Sequence, residues 1–86
     1  MKTNLEIYLS IQFDSEHEAQ IVIASLQPEI QEHDFDRSKV SISQKKGKIT
    51  IYIAAQDLNA AKATINSVLR WISAATEVIN TFSKKT

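Results

Sequence analysis

Apolar and polar residues alternate in three short segments of the chain. Over residues 5–13 every second position is apolar, and the same alternation recurs over 40–42 and 49–53. A period of two is typical of a β-strand with one buried face. The pattern therefore predicts three half-buried strands.

The second and third strands are predicted to form a hairpin around Lys46 and Gly47. A two-residue connection with glycine in second place favours a type I′ turn, which requires a positive φ at both central positions. Pairing the strands across this turn sets Ile42 opposite Ile51 and every other inward residue opposite an inward residue. A register shifted by one would expose the isoleucines to water, so the pattern specifies the register.

A first helix is predicted between the first two strands. Ser15 and Glu18 have the spacing of a capping box, in which each side chain bonds the backbone amide of the other residue. We expect Pro28 to end or kink this helix near Gln27, because proline removes a donor and clashes with the preceding turn. The polar residues 31–36 are predicted to form a loop.

A second helix is predicted over residues 58–82, since Asp57 is a favourable N-cap and neither Gly nor Pro interrupts this segment. The order of elements is then strand, helix, strand, strand, helix. Residues 1–86 are predicted to form one α+β domain, a two-layer sandwich. We expect a three-stranded antiparallel sheet of order 1-3-2 with both helices on one face.

The second helix is apolar around most of its circumference, whereas a helix on a single sheet needs an apolar arc of only about 100°. At about 100° per residue, its polar side chains form one stripe: Asn59, Lys62, Asn66, Arg70, Ser73, Glu77 and Asn80. A broad apolar stripe is expected to cover the sheet: Leu58, Ala61, Ile65, Val68, Leu69, Ile72, Ala75, Ile79 and Phe82. A further flank, here called the small-residue flank, is expected to lie away from the sheet: Ala60, Ala63, Ser67, Trp71, Ala74 and Val78.

The small-residue flank predicts a contact with another protein chain. Small side chains let a second helix approach closely, and Trp71 belongs to the residue types that dominate interfaces. A different interpretation is that Trp71 and Val78 pack against the first helix within one chain. Because a domain of 86 residues is only marginally stable alone, oligomerisation is also expected from size.

Composition restricts the functional classes. Ten basic and ten acidic residues give a net charge of zero, so bulk attraction to nucleic acid or to membranes is not expected. The lack of cysteine excludes disulfides and thiolate metal sites. No segment resembles a signal peptide or has the length of a membrane span. We therefore expect a cytoplasmic protein without membrane partners.

No catalytic constellation is apparent in the sequence. It contains no glycine-rich phosphate loop and no histidine placed with a carboxylate to activate a serine. Metal-ligand residue types occur at Glu32, His33, Asp34 and Asp36, but without a second histidine they are more typical of a solvated acidic loop. We predict that the chain is not an enzyme, needs no cofactor and has no small-molecule substrate.

RNA binding is an alternative function, because base stacking on strand aromatics is the mechanism of RNA-binding sheets. The residues expected at such an outer sheet surface or at the hairpin tip are Tyr8, Tyr52, Lys39, Lys45, Lys46 and Lys48. Lysines at a hairpin tip are also typical of a soluble turn that resists edge pairing. The sequence has neither an aromatic-rich strand signature nor a GxxG loop.

Four motifs, in order along the chain, resemble one family. They are Leu26-Gln27-Pro28-Glu29 near the end of the first helix, Arg37-Ser38-Lys39 entering the second strand, Asp57-Leu58 starting the last helix, and Asn66-Ser67-Val68-Leu69-Arg70-Trp71-Ile72 within it. Over residues 5–82 the chain is similar to the Pcc1 family, the small dimerising subunits of the KEOPS (EKC) complex. That complex makes threonylcarbamoyladenosine beside the anticodon of tRNAs that read ANN codons.

The resemblance implies a non-catalytic scaffold subunit. Such a subunit forms homodimers and binds the catalytic, ATPase-fold subunit through a helical bundle, so that the dimer brings two catalytic subunits together. By position, Asn66, Arg70 and Trp71 would be interface or structural residues, and Arg37 a loop anchor or a tRNA contact. With no net positive charge, the subunit is expected to contact tRNA only indirectly or weakly. Both the main subunit and a paralogue fit the motifs.

Overall fold

The computed structural model describes residues 5–32 and 37–83, without the side chains of residues 78 and 80–83. The elements, in chain order, are β1 (Leu5–Gln12), α1 (Glu16–Glu32), β2 (Ser38–Lys45), β3 (Lys48–Ala55) and α2 (Leu58–Ser83). The predicted order of strands and helices is confirmed, and the chain has an α+β fold.

The three strands form one antiparallel sheet of order β1-β3-β2. Ile51 of the central strand pairs with Leu9 on one side and with Ile42 on the other, and Lys45 lies opposite Lys48. The predicted sheet order and hairpin register are therefore confirmed. The alternation of side chains places the apolar residues of all three strands on the face that the helices cover.

The predicted type I′ turn is wrong. Lys46 has a φ of 55°, but Gly47 does not have a positive φ, which a type I′ turn would require. Glycine is needed at position 47 for a different reason. The amide of Phe13 donates to the Gly47 carbonyl at 2.8 Å, and a Cβ on Gly47 would lie 2.9 Å from the Phe13 carbonyl oxygen. The close approach of the end of β1, not the turn conformation, leaves no room for a side chain.

Helix α1 begins as predicted, because the Glu18 amide donates to Ser15 Oγ at 3.1 Å. It does not end near Gln27: Pro28 lies inside the helix, which continues to Glu32. Pro28 is exposed, so water can bond the carbonyl that has lost its helical donor. The additional turn brings Ile30 onto the core. Of the predicted loop, 31–32 are therefore helical, and 33–36 lie outside the described residues.

Helix α2 begins at the predicted cap, where the Ala60 amide donates to Asp57 Oδ1 at 2.8 Å. It lies mainly over β3, whereas α1 lies mainly over β2, and the two helices pack against each other. The inward isoleucines of β3 are completely buried, but the inward residues of β1 are only half-buried. The inward residues Val40 and Ile42 of β2 are half-buried as well, so both edges of the sheet are less covered than its centre. Neither helix packs chiefly over β1.

Candidate protein interface

The buried face of α2 is centred on Thr64, Val68 and Ala75. The broad apolar stripe was predicted to cover the sheet, and for two of its members this is wrong. Leu58 is 60% exposed and Leu69 is 49% exposed. The helix is therefore rotated about its axis relative to the predicted orientation, because its buried face has to serve both the sheet and α1.

Thr64 lies at the centre of this buried face and was missed from the sequence. Its hydroxyl donates to the Ala60 carbonyl at 2.9 Å, so the Ser38 hydroxyl, 2.5 Å away, is the donor to Thr64 Oγ1. Thr64 satisfies its polar group with the carbonyl four residues earlier, as threonine in a helix can. The available signal was its position on the helix circumference, between Trp71 and Ala75.

The small-residue flank is partly covered within the chain. Ala60 and Ser67 are each only 8% exposed, so these two residues are covered within the chain, although the flank was expected to lie away from the sheet and to be left for a partner. Ala63 and Ala74 are exposed as expected, and so is the neighbouring Arg70. The side chain of Val78 lies outside the described residues, and the interface role of the whole set stays a prediction.

A groove of about 220 Å³ lies between the two helices, and its lining residues are Ser25, Glu29, Trp71, Ala74 and Ala75. Trp71 is half-buried and packs against the hydrophobic core. The interpretation that Trp71 packs within its own chain is therefore correct in part. Ala74 and Ser25 are exposed at the sides of this inter-helix groove, and their small side chains rise little above the helix backbones.

A second uncovered apolar surface lies on the opposite side of α2, and we call it the open edge. Its helical part consists of Leu58, Ile65 and Leu69, which are separated from Trp71 by more than a quarter turn around the axis. Because α1 and Trp71 occupy one side of α2, these residues are directed toward β1. The half-buried inward residues of β1, such as Leu9, extend the same surface.

Arg37 joins the two loops that precede β2 and α2. Its guanidinium Nη1 lies 2.6 Å from Asp57 Oδ2, while the other Asp57 oxygen caps α2. The Arg37 carbonyl accepts from the Gln56 amide at 2.9 Å. Both charged side chains are about half-exposed, so the ion pair contributes at most about 1 kcal/mol. Its effect is to hold these loops in one geometry.

The outer face of the sheet carries the exposed tyrosine pair. The ring centroids of Tyr8 and Tyr52 are 5.0 Å apart with planes tilted by 43°. The Tyr52 hydroxyl donates to Glu6 Oε1 at 2.7 Å, and this hydrogen bond raises the pKa of Tyr52 above its ordinary value. Lys39, Lys45, Lys46 and Lys48 are all exposed. The structure thus brings the tyrosines together, with lysines along the same face and at the turn.

Within the described ranges, no group of three or more carboxylate, histidine or cysteine side chains could hold a metal ion. Of the acidic-loop residues considered as ligands, His33, Asp34 and Asp36 lie outside those ranges, and Glu32 is the exposed last residue of α1. Neither α1 nor α2, as far as each is described, is long and apolar enough to cross a membrane.

Comparison with known proteins places this fold and its motifs in one family. The sequence model of a family described as transcription factor Pcc1 matches residues 6–80. The chain belongs to the Pcc1 family. A curated Pcc1 relative, the KEOPS complex subunit Pcc1 of Pyrococcus abyssi (strain GE5 / Orsay), is 37% identical over 70 residues, which are 81% of this chain and 85% of that protein.

A solved structure with the Pcc1 fold supports the architecture. A chain in the crystal structure of a binary Gon7-Pcc1 complex matches 94% of this chain with a TM-score of 0.84, and the match covers 99% of that chain. The sequence identity is 18%, so this likeness concerns the fold alone. The resemblance to the Pcc1 family that the four motifs indicated is confirmed.

Proposed function

We propose that the chain is a non-catalytic scaffold subunit of a KEOPS complex in the cytoplasm. It forms a homodimer, and each copy binds a catalytic ATPase-fold subunit through helical packing. In this way it serves the threonylcarbamoyladenosine modification of tRNA without a catalytic site of its own. Membership of the Pcc1 family and the 37% identity to a KEOPS complex subunit support the assignment.

The observation that carries the proposal is the presence of two uncovered apolar surfaces on opposite sides of α2. A subunit that bridges others needs at least two separate contact surfaces. The open edge exposes Leu58 and Leu69, and the inter-helix groove exposes Ala74 beside Trp71. Exposed leucines and a half-buried aromatic side chain are the residue types that a partner chain would bury.

We assign the open edge to the second copy of the chain. In a homodimer with two-fold symmetry the same surface of each subunit forms the interface, so that surface must be complementary to itself. Leu58, Ile65 and Leu69 are themselves uncharged, so this row can pack against its own copy through apolar contacts. Burial of this row would also cover the inward side chains of β1.

We assign the inter-helix groove to a helix of the catalytic subunit. Ser25 and Ala74 are small and exposed, so a third helix can approach both α1 and α2 closely. Trp71 lies at the base of the groove and supplies the large aromatic contact that typically dominates the binding energy. The result is a helical bundle with helices from two chains.

Light scattering and calorimetry on single-site variants of α2 test this assignment. We expect Leu69→Glu to convert a dimer into a monomer and to leave binding of the purified catalytic subunit intact. Ala74→Arg should preserve the dimer and abolish that binding, because the new side chain fills the groove. Asn59→Glu, on the exposed polar stripe of the same helix, is the matched control and should change neither property.

Trp71→Ala should weaken binding of the catalytic subunit by about 2 kcal/mol or more, which is roughly 30-fold. Its thermal unfolding has to be measured in parallel because Trp71 also packs on the core. A wild-type protein that is monomeric at all accessible concentrations would contradict the dimer. Equal binding by wild type and Ala74→Arg would contradict the groove assignment.

A further inference from the structure

The outer face of the sheet is a flat surface that neither the hydrophobic core nor the two proposed interfaces use. Pairing across the sheet arranges its side chains in four rows perpendicular to the strands. Glu6, Ala54 and Lys39 form the end row, and three rows follow it. The first of these three holds Tyr8, Tyr52 and Ser41; the second holds Ser10, Thr50 and Ser43; the third holds Gln12, Lys48 and Lys45. The face thus changes along the strands from aromatic to hydroxyl to basic.

Tyr8 is the most exposed large hydrophobic side chain in the described part of the protein, with 66% of its surface exposed. Its neighbour Tyr52 is held in place by the hydrogen bond to Glu6, and the two rings are in contact at 5.0 Å. The Tyr52 ring therefore packs against one side of the Tyr8 ring. An aromatic ring that is supported on one side and open to solvent can stack on a nucleotide base.

The charge of this face is opposite in sign to that of a nucleic acid. Within the four rows Glu6 is the single acidic side chain, and it already accepts from Tyr52. Lys39, Lys45 and Lys48 point from the same face, and Lys46 extends the basic end at the turn. Helix α1, on the other side of the sheet, contains several glutamates and no basic residue. Although the net charge of the chain is zero, lysines therefore outnumber carboxylates on the outer sheet face.

The spacing of the rows fits an extended oligonucleotide. Tyr8 and the basic row are four residues apart along the strand, which is about 13 Å. Over this distance a base can stack on Tyr8 while the phosphates that follow reach Lys48 and Lys45. The intervening row of hydroxyl side chains from Ser10, Thr50 and Ser43 lies where ribose would pass, and a ribose 2′-hydroxyl can bond to such groups.

We propose that the outer sheet face binds a short segment of single-stranded RNA. Tyr8 is the stacking platform, Tyr52 positions Tyr8, and Lys45 and Lys48 bind the phosphates. The hydroxyl row favours ribose over deoxyribose. This site is independent of the scaffold function, because its residues lie on the opposite side of the sheet from both α-helices.

Fluorescence anisotropy with a labelled oligouridine and the matching oligodeoxyuridine tests the proposal on the full chain. We expect Tyr8→Ala to weaken RNA binding at least about fivefold, the range found for the loss of one stacked base. Tyr8→Phe should retain the affinity. Lys45→Glu combined with Lys48→Glu should weaken binding and reduce its dependence on salt concentration, because fewer counterions are then released.

Lys62→Glu is the matched charge control, since Lys62 is exposed on α2 and far from the sheet surface. Light scattering on each variant shows whether the fold and the oligomeric state are preserved. Lys48→Glu as a single variant is compared with Lys62→Glu, and equal losses of RNA affinity in the two would overturn the proposal, because binding would then follow total charge. A Tyr8→Ala variant that changes its mass in solution but not its RNA affinity would also overturn it and would assign the face to self-association.

Discussion

The centre and the β1 edge of the sheet contain the same kinds of side chain in the same alternating pattern, yet their burial differs. Ile49, Ile51 and Ile53 of β3 have no exposed surface, whereas Leu9 and the other inward residues of β1 are only half-buried. Strand β3 lies beneath both helices, whereas neither helix packs chiefly over β1. Alternation in the sequence thus reports which way a side chain points, but not how much of it will be covered.

This difference has a functional consequence. The side chains that the monomer buries completely hold the fold together, and those that it leaves half-buried beside Leu58 and Leu69 are available to a partner. Further contacts join the edge strand to the rest of the molecule, besides its ladder with β3 and the packing of its inward residues on the core. Two of these are the contact of Phe13 with Gly47 and the hydrogen bond between Tyr52 and Glu6.

Substitution of the buried centre should have the largest effect. Ile51→Ala is expected to lower the free energy of unfolding by about 2–5 kcal/mol, because the lost methyl groups leave a cavity in a closely packed core. Leu9→Ala should lower the free energy of unfolding by clearly less, since Leu9 is already half-exposed in the monomer. Both are compared by urea unfolding in a Leu69→Glu background, which removes self-association. Equal losses at the two positions would contradict the distinction between centre and edge.

A smaller loss is expected where β1 ends against the hairpin. Gly47→Ala places a Cβ 2.9 Å from the Phe13 carbonyl oxygen, which is a backbone atom that cannot move away easily. We expect a loss of about 1–3 kcal/mol, as for other overpacked sites, measured as a lower thermal midpoint. Lys46→Gly is the control, because it relieves a residue with positive φ and should be neutral or slightly stabilising. The reverse order of the two effects would show that turn conformation, not close approach, selects glycine here.

The smallest effect concerns the link between β1 and β3 on the outer face. The hydrogen bond to Glu6 raises the pKa of Tyr52, so the fold favours the neutral phenol. The resulting stabilisation is present below the ordinary tyrosine pKa of about 10 and is lost as pH rises through the higher pKa of the folded state. In a Tyr8→Phe background Tyr52 is the remaining tyrosine, and its ionisation can be followed by ultraviolet absorbance. Glu6→Gln should move this ionisation to lower pH; an unchanged titration would contradict the role of Glu6.

The sequence by itself determined the features that depend on local periodicity and on short-range caps. Strand alternation specified the hairpin register because a shift of one residue would turn every isoleucine to the wrong face. Ser15 and Asp57 marked the helix starts because each accepts from an amide three residues later. Four motifs, in order along the chain, indicated the Pcc1 family without reference to any tertiary contact.

Only the tertiary structure decided how the helices sit on the sheet. The rotation of α2 that buries Thr64 and exposes Leu69 depends on where α1 packs, and a helix apolar around most of its girth is compatible with several rotations. Helix α1 passes Pro28 because that position faces water and the turn beyond it reaches the core with Ile30. Gly47 is explained by a strand end distant in sequence. In each case the deciding contact joins residues far apart along the chain, and no local pattern of side chains contains that information.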